Sequence, residues 1–542
     1  MNKIFFTNEL QALDKKVSID YPDLDLMKIA AEGLAEKISE ISQEVYINDI
    51  ALFPFVTIVC GKGNNGGDGF KLAYLLASQK YNLKVFSLAR PETLKGDALK
   101  AFTQLQEVLP KPDSDSIRFI NQVSDIDDFV DYIKSTQDDE EVQHILVDAL
   151  LGIGIKGEAQ GLTAEIILAI NSLKHQIPSI TVLACDCPSG IDLDSGLIND
   201  TIVKADYTVT MGFTKLASCF YPAKYFFGKQ SIQPIPYPEA VCAQEHKSKI
   251  FKISHEEITG LLPNRNQEGS KYDHGTATIV AGSANMPGAG FLTGLSAMRS
   301  GLGLVHLYSE PESKTIIASQ LPEIITHDLK DLNQKTITDV TTIGPGLGRD
   351  HGSLIRELVI NSNEPIILDA DGINAFKDHS ELLKKHRSPL IITPHLKEYS
   401  RLFPDDSLET LLPIERITVL KKRALELNAT ILLKGPTTII VDPDGDCFLN
   451  DNGNSALATA GSGDVLTGII TGISAQIIHS KKPYFKNLLT DSAIVSSYLH
   501  GLAGTFASEN LTEYSVMARD IILNLPQAFA KSVSSFLRAF SS

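Results

Sequence analysis

Three shortages frame this sequence. Cysteine is scarce, positive charge is outnumbered, and no apolar run approaches the ~18–20 residues needed to span a bilayer. The six cysteines among 542 residues are Cys60, Cys185, Cys187, Cys219, Cys242 and Cys447, and they form no paired framework. Only Cys185 and Cys187 are close in the chain, and no second Cys or His cluster stands at metal-binding spacing. Ordinary buried thiols are expected. Lys and Arg total 49 against 66 Asp and Glu, a net charge of −17. Such a surface repels phosphate backbones and anionic lipid, so neither nucleic acid nor a membrane is an expected partner. Small anionic ligands remain possible, because backbone amides can hold them locally. The opening residues, Met1 to Thr7 followed by Glu9 and Asp14, carry no secretory apolar core, and a cytoplasmic protein is expected.

What is present suits a multidomain enzyme. Apolar residues are 43% and charged residues 21% of the chain, ordinary values that supply more than one core. At ~150 residues per domain, the length predicts two to four. Helical periodicity runs through Leu10, Leu13, Val17, Leu26, Ile29, Leu34 and Ile38. From about residue 51, strand-length apolar runs alternate with amphipathic stretches: 55–59, 84–88, 144–148 and 181–185. Continuous β-branched runs separated by helices predict a parallel α/β sheet. Residues 229–252 break the rhythm with Pro234, Pro236 and Pro238 and a polar stretch to Lys249, and 238–250 reads as a linker. The rhythm then resumes at 277–280, 303–307, 365–369, 390–393 and 431–434. Two α/β domains follow, 1–237 and 251–542, with no short repeat or long low-complexity tract.

In the first half the densest motif is Gly61-Lys62-Gly63-Asn64-Asn65-Gly66-Gly67-Asp68-Gly69, placed straight after a strand. It lacks the Lys-Ser/Thr ending of a P-loop, and two Asn interrupt the usual dinucleotide glycine pattern. Its glycines allow close approach to a pyrophosphate, while Asn and Asp68 suit polar groups or a hard cation. A tight turn using Asn and Gly is the plainer alternative. Asp148 and Asp186 end two further strands, and parallel sheets bind ligands beyond that edge. Either acid alone could simply cap a turn. In the second half, Gly461-Ser462-Gly463-Asp464 precedes an apolar helix-like run and would present amides to an anion, with Asp464 as a base. Asp464 as an ordinary helix N-terminal acid is the alternative. Upstream, 282–289, 344–348, 369–374, 393–398 and 434–438 are small or polar strand exits consistent with one nucleotide site.

The 61–69 loop, the Asp148-to-Gly154 segment and the Asp186-to-Asp192 segment together resemble the NAD(P)H-hydrate epimerase family, over roughly residues 5–235. The resemblance implies a Rossmann-like three-layer domain acting on NADH or NADPH hydrated at C6. It implies substrate contact by Asn64, Asn65, Gly66, Gly67 and Asp68, and by Gly152, Ile153, Gly154, Ile155, Lys156, Gly157 and Glu158. Asp186 would stand at the reacting ring, Lys156 would assist proton transfer or contact phosphate, and Asn65, Asp148 and Ser189 would bind K⁺. Gln160 departs from the basic residue of many relatives.

Residues 250–535 resemble the ADP/ATP-dependent NAD(P)H-hydrate dehydratases, which are ribokinase-like. The similarity lies in 261–265, 281–289, Asp369-to-Asn374, Thr393-Pro394-His395 and the Gly-Ser-Gly-Asp motif. It implies that Ala289, Gly346, His395 and Asp464 meet the hydrated nucleotide, with Asp464 catalytic. Lys434, Gly435, Pro436, Thr437, Thr438 and Gly463 would hold ADP or ATP with Mg²⁺. Segment 270–275 departs from the family pattern. Two halves resembling consecutive steps on one substrate imply a bifunctional metabolite-repair enzyme, ADP-driven and homo-oligomeric. The alternatives are a ribokinase-like kinase of a vitamin precursor with a nucleotide-binding N-terminal module, and a non-enzymatic sensing role for the first half.

Overall fold

The computed structural model describes residues 2–42, 45–47, 50–52, 54–79, 81–109, 116–136, 143–155, 157–334, 337–480 and 483–539. The chain divides into two units, Lys3–Ser248, and Lys249–Ser542 together with Met1–Asn2.

In the first unit, β-branched and apolar runs form seven strands: β1 (Phe55–Cys60), β2 (Asn82–Ser87), β3 (Ile117–Phe119), β4 (His144–Ala149), β5 (Thr181–Cys185), β6 (Tyr207–Met211) and β7 (Lys229–Gln233). They pair in the order β7-β6-β5-β4-β1-β2-β3, all parallel. This is the Rossmann-like doubly wound order, with its direction reversing between β1 and β4. Register aligns Cys60 with Ala149 and Asp148 with Ala184, so three neighbouring strand ends share one edge. Helices α1 (Thr7–Asp20), α2 (Leu26–Ile41), α3 (Asn64–Ser78), α4 (Gly96–Val108), α5 (Ser124–Ser135) and α6 (Leu162–Gln176) surround the sheet in chain order. The periodic residues Leu34 and Ile38 of α2 bury in the main core with Val56, Ile58 and Phe70.

The stretch 229–252, including the expected linker, contains ordered elements. β7 is a polar edge strand, and α7 (Glu239–Glu245) starts directly after Pro238. Proline is tolerated at a helix start because no intrahelical donor is needed there. Val241 and Cys242 bury against Leu10, Leu13 and Val17 of α1. The buried Glu9 carboxylate then accepts from the N–H groups of Lys247 (2.9 Å) and Ser248 (2.6 Å). Apolar burial and these bonds carry the first unit through to Ser248.

The second unit repeats the order. Its strands are β8 (Ile250–Lys252), β9 (Thr276–Val280), β10 (Leu304–Ser309), β11 (Ile325–Asp328), β12 (Val340–Ile343), β13 (Ile366–Leu368), β14 (Leu390–Ile392), β15 (Thr430–Leu433), β16 (Thr438–Val441) and β17 (Cys447–Asn450). The sheet runs β11-β10-β9-β12-β13-β14-β15-β16-β17-β8, parallel as far as β15 and antiparallel through β15, β16 and β17. Its helices include α8 (His255–Leu261), α9 (Pro287–Arg299), α10 (Pro311–Gln320), α11 (Gly352–Asn361), α12 (Leu396–Leu402), α13 (Pro413–Leu427), α14 (Ser462–His479), α15 (Leu488–Leu511) and α16 (Ala518–Ala539). Small residues bring α14 close to α9. A Cβ on Gly468 would lie 1.9 Å from the Ser296 hydroxyl, and one on Gly472 2.7 Å from the Ala297 carbonyl. Both units are therefore α/β, the fold class anticipated.

Candidate active sites

In the first unit, a cavity of about 870 Å³ opens at the carboxyl edge of the sheet. It gathers Asn64, Asn65, Asp68, Gly152, Ile153, Gly154, Ile155 and Asp186 from the expected set. Gly157 and Glu158 are exposed and do not line it. Lys156 lies outside the described residues.

The glycine motif divides its labour. The helix α3 already begins at Asn64, with Gly63 as N-cap, so two thirds of the anticipated loop, 64–69, is helical. A Cβ on Gly61 would stand 1.9 Å from the Leu150 carbonyl, and one on Gly66 1.9 Å from the Gly61 carbonyl. A Cβ on Gly67 would strike Met27 and Ala98. Gly66 and Gly67 therefore bring backbone and helices together, and neither lines the cavity. Gly63 and Gly154 have nothing within 4 Å of a built Cβ.

Asp148 is fully buried. Its carboxylate accepts from the Ser189 hydroxyl (2.5 Å), the Ser189 N–H (2.8 Å) and the Leu150 N–H (3.2 Å). Burial outweighs those bonds and pushes its pKa up to about 6. The Asn65 amide donates to the Leu151 carbonyl at 2.9 Å, and Ser189 contacts that same carbonyl at 3.2 Å. Asn65, Asp148 and Ser189 are thus brought together around one strand exit.

Asp186 has a φ of 63°, a strained value for a non-glycine residue. Its Oδ1 accepts from the Met211 N–H and pairs with the Lys215 ammonium, both at 2.9 Å. Lys215 is itself buried. The sequence reading missed Lys215, and also Asp14 and Tyr237, which line the cavity from elements distant in the chain. Burial holds the Asp68 carboxyl well above the usual range, and the neighbouring charges of Asp186 and Asp14 add to this.

In the second unit the expected residues converge on two helix N-termini. The Thr293 hydroxyl of α9 donates to the Ala289 carbonyl (2.9 Å) and approaches the Asp464 carbonyl of α14 (3.3 Å). Gly346 has a φ of 62°, and a Cβ there would lie 2.6 Å from that of Ala289. Gly461, at φ 85°, is the N-cap of α14 and turns the chain into its first turn.

An ion pair between the partly buried Lys434 and a buried carboxylate underlies the loop. Lys434 Nζ lies 2.7 Å from Asp369 Oδ1 and 3.8 Å from Glu398 Oε2. Asp369, 1% exposed, also accepts from the hydroxyls of Thr467 (2.7 Å) and Thr393 (2.9 Å). A Cβ on Gly463 would approach Lys434 Nζ to 3.5 Å, so the loop and the ammonium are neighbours. Burial lowers the Lys434 pKa, but Asp369 and Glu398 outweigh it and the net shift is upward. Burial and the Asp369 charge push Asp464 up to about 7, against the pull of Lys434. His395 caps α12, its Nδ1 accepting from the Glu398 N–H at 3.2 Å, and bridges in parallel to Lys434. Gly435 and Pro436 form an exposed turn after Lys434, while Thr437 is buried and Thr438 begins β16. His500 of α15 was not anticipated. It is buried, and its Nε2 shares a 3.1 Å hydrogen bond with the Ser462 hydroxyl.

All six cysteines are buried thiols outside disulfides. Among the described residues, no helix is long and apolar enough to cross a membrane, and no group of three or more His, Cys, Asp or Glu is arranged to hold a metal ion.

Comparison with known proteins bears on both units. Residues 23–217 match the model of the YjeF-related protein N-terminus, and residues 277–527 match that of NAD(P)H-hydrate dehydratase. The bifunctional NAD(P)H-hydrate repair enzyme of Moorella thermoacetica is 32% identical, covering 96% of this chain and 95% of its own. That of Synechocystis sp. is 30% identical, covering 92% of this chain and 89% of its own. A solved ADP/ATP-dependent NAD(P)H-hydrate dehydratase from Bacillus subtilis is 30% identical over 52% of this chain and 98% of its own, with a TM-score of 0.46. With both halves matched in order and nearly the full length covered, the chain belongs to the family of bifunctional NAD(P)H-hydrate repair enzymes.

Proposed function

We propose that the first unit interconverts the R and S hydrates of NADH and NADPH, and that the second dehydrates the S hydrate at the expense of ADP. The observation that carries the first activity is the single cavity joining Asn64, Asn65, Asp68, Gly152 to Ile155 and Asp186. In this reading Asp186 gives a proton to the departing C6 hydroxyl while the ring nitrogen's lone pair forms a C=N bond, and water then adds to the other face. The carboxylates around the cavity favour the cationic ring that forms.

Asn65, Asp148 and Ser189 supply oxygens with no imidazole or thiolate, a donor set that fits K⁺. Bound there, the ion would supply fixed positive charge beside the three strand exits.

For the second activity, the supporting observation is Asp464 beside Lys434 at the start of α14, with its pKa raised to about 7. A base poised near neutrality suits removal of the C6 hydroxyl proton. The hydroxyl oxygen attacks the terminal phosphoryl of ADP, and the Gly461-to-Gly463 amides stabilise its charge. The ring nitrogen then expels phosphate, and loss of the neighbouring C5 proton restores the ring double bond. Mg²⁺, carried on the nucleotide phosphates, would offset their charge. Ala289, Gly346 and His395 would receive the hydrated ring, and Lys434 to Thr438 with Gly463 the adenine nucleotide. Assembly as a cytoplasmic homo-oligomer, with nucleotides as its ligands, belongs to the same reading.

The test is to incubate both hydrate epimers with the protein, with and without ADP or ATP, following the near-ultraviolet absorbance of reduced nicotinamide. Complete recovery with nucleotide, and epimer exchange without it, are expected. A stable phosphorylated product with no recovery would instead indicate a kinase.

A further inference from the structure

We propose that Asp14, held by Tyr237, is a second proton-handling group of the first unit's cavity and works together with Asp186. This inference rests on the epimerisation reading.

Inversion at C6 removes hydroxide from one face of the ring and adds water to the other. Each face needs its own proton transfer, and one side chain fixed on one wall serves one face. Asp186 reaches the cavity from the loop after β5, anchored through Oδ1 by Met211 and Lys215. Asp14 reaches it from α1, anchored through Oδ1 by the Tyr237 hydroxyl at 2.6 Å.

The wall carrying Asp14 is built to hold it still. Leu10, Leu13 and Val17 of α1 bury with Val241 and Cys242 of α7, and Phe213 and Tyr237 pack on that cluster. The Tyr237 ring stacks on Phe213 with centroids 5.5 Å apart and planes 14° from parallel. Asp14 lies in the middle of α1, where it neither caps the helix nor completes the apolar cluster. Its electrostatic neighbours are Lys215, Asp186 and Asp68, with Lys15 also on the cavity wall. Burial raises its pKa, against the Tyr237 hydrogen bond and the Lys215 charge.

The cycle balances. A proton passes from Asp186 to the C6 hydroxyl, the C6–O bond breaks with its electron pair on oxygen, and water departs. The nitrogen lone pair forms C=N. Water on the other face donates a lone pair to C6, the C=N pair returns to nitrogen, and the water's proton passes to the Asp14 carboxylate. The reverse epimerisation starts from protonated Asp14 and returns the proton to Asp186, and repeated turnover in one direction is reset by exchange of Asp14 and Asp186 protons with water.

The experiment measures R/S exchange without nucleotide in the full chain and in Asp14→Asn, Asp14→Glu, Tyr237→Phe and Asp186→Asn, with melting curves for each. Asp14→Asn is expected to lower kcat by ~10²-fold or more with little change in KM, as for loss of a general acid or base. Tyr237→Phe is expected to cost ~10-fold through loss of one hydrogen bond to a carboxylate, and to shift the pH profile. Asp14→Glu is expected to recover part of the lost rate, and this conservative variant keeps the test valid if Asp14→Asn melts early. Wild-type kcat in Asp14→Asn, or a loss confined to KM, overturns the proposal while an inactive Asp186→Asn leaves the epimerase reading standing. Failure of the unaltered protein to exchange epimers faster than buffer would overturn that reading as well.

Discussion

The two units each wind seven parallel strands in one spatial order, 3-2-1-4-5-6-7, yet charge their carboxyl edges differently. The first gathers Asp14, Asp68 and Asp186 around a cavity with Lys215 as the buried cation. The second joins the buried Asp369 and its partly buried partner Lys434 to the N-terminus of α14, with Glu398, Asp371 and Asp464 close by. The first arrangement favours a cation forming inside it, and the second offers an anion helix amides and one ammonium set among carboxylates. One topology therefore carries two different charge arrangements, because side chains and helix starts at the strand exits set the local field.

The sharpest way to break this comparison is Asp464→Asn. Dehydration should fall by ~10²–10⁴-fold, while R/S exchange stays at its original rate, since its residues belong to the other unit. Loss of both activities would show that the units do not act independently.

Next in size is Lys434→Met. It leaves Asp369 buried with only its threonine hydrogen bonds, and stability should drop by about 3–5 kcal/mol in chemical denaturation. It also removes the cation that lowers the Asp464 pKa, so the midpoint of the dehydration pH profile should move upward.

A smaller effect separates glycines within one motif. Gly61→Ala should destabilise the first unit by ~1–3 kcal/mol or more, because the methyl meets the Leu150 carbonyl. Gly63→Ala, at φ −94° with open space around it, should leave stability nearly unchanged and alter only the hydrate KM.

The smallest expected effect is on stability against pH. Asp464 has a folded-state pKa raised to about 7, above its ordinary value of 3.8. The native state therefore holds that proton more tightly, and the associated stability is present at acid pH and lost as pH rises through about 7. Asp464→Asn should remove that loss and raise Tm above pH 7 by roughly 2–4 °C for each kcal/mol recovered. A Tm unchanged across this range would show that Asp464 titrates as an ordinary carboxylate. The dehydration rate of the unaltered protein should rise through the same pH interval, as the base loses its proton.

Much of this organisation was legible in the chain. Core strands such as Phe55–Cys60 and His144–Ala149 are continuous apolar runs because both sheet faces are covered, and they declare themselves by composition. The edge strand Lys229–Gln233 does not, because an edge can remain polar, and it merged with the proline-rich stretch after it. Glycine likewise concealed the start of α3, which lies inside the glycine motif rather than after it. Glycine lowers helix propensity, and only close packing against Gly61, Met27 and Ala98 shows why those positions must be glycine.

By itself the sequence determined the strand-exit motifs, the two-unit α/β plan and the residues Asp148, Asp186 and Asp464, because each is a local signal readable within a few neighbours. Tertiary structure alone decided which of them share a site and which cation answers each acid. Lys215 comes to Asp186 across 29 positions, Lys434 to Asp369 across 65, and Tyr237 to Asp14 across 223. Pairings over such separations follow from sheet order and helix packing, which no local pattern encodes.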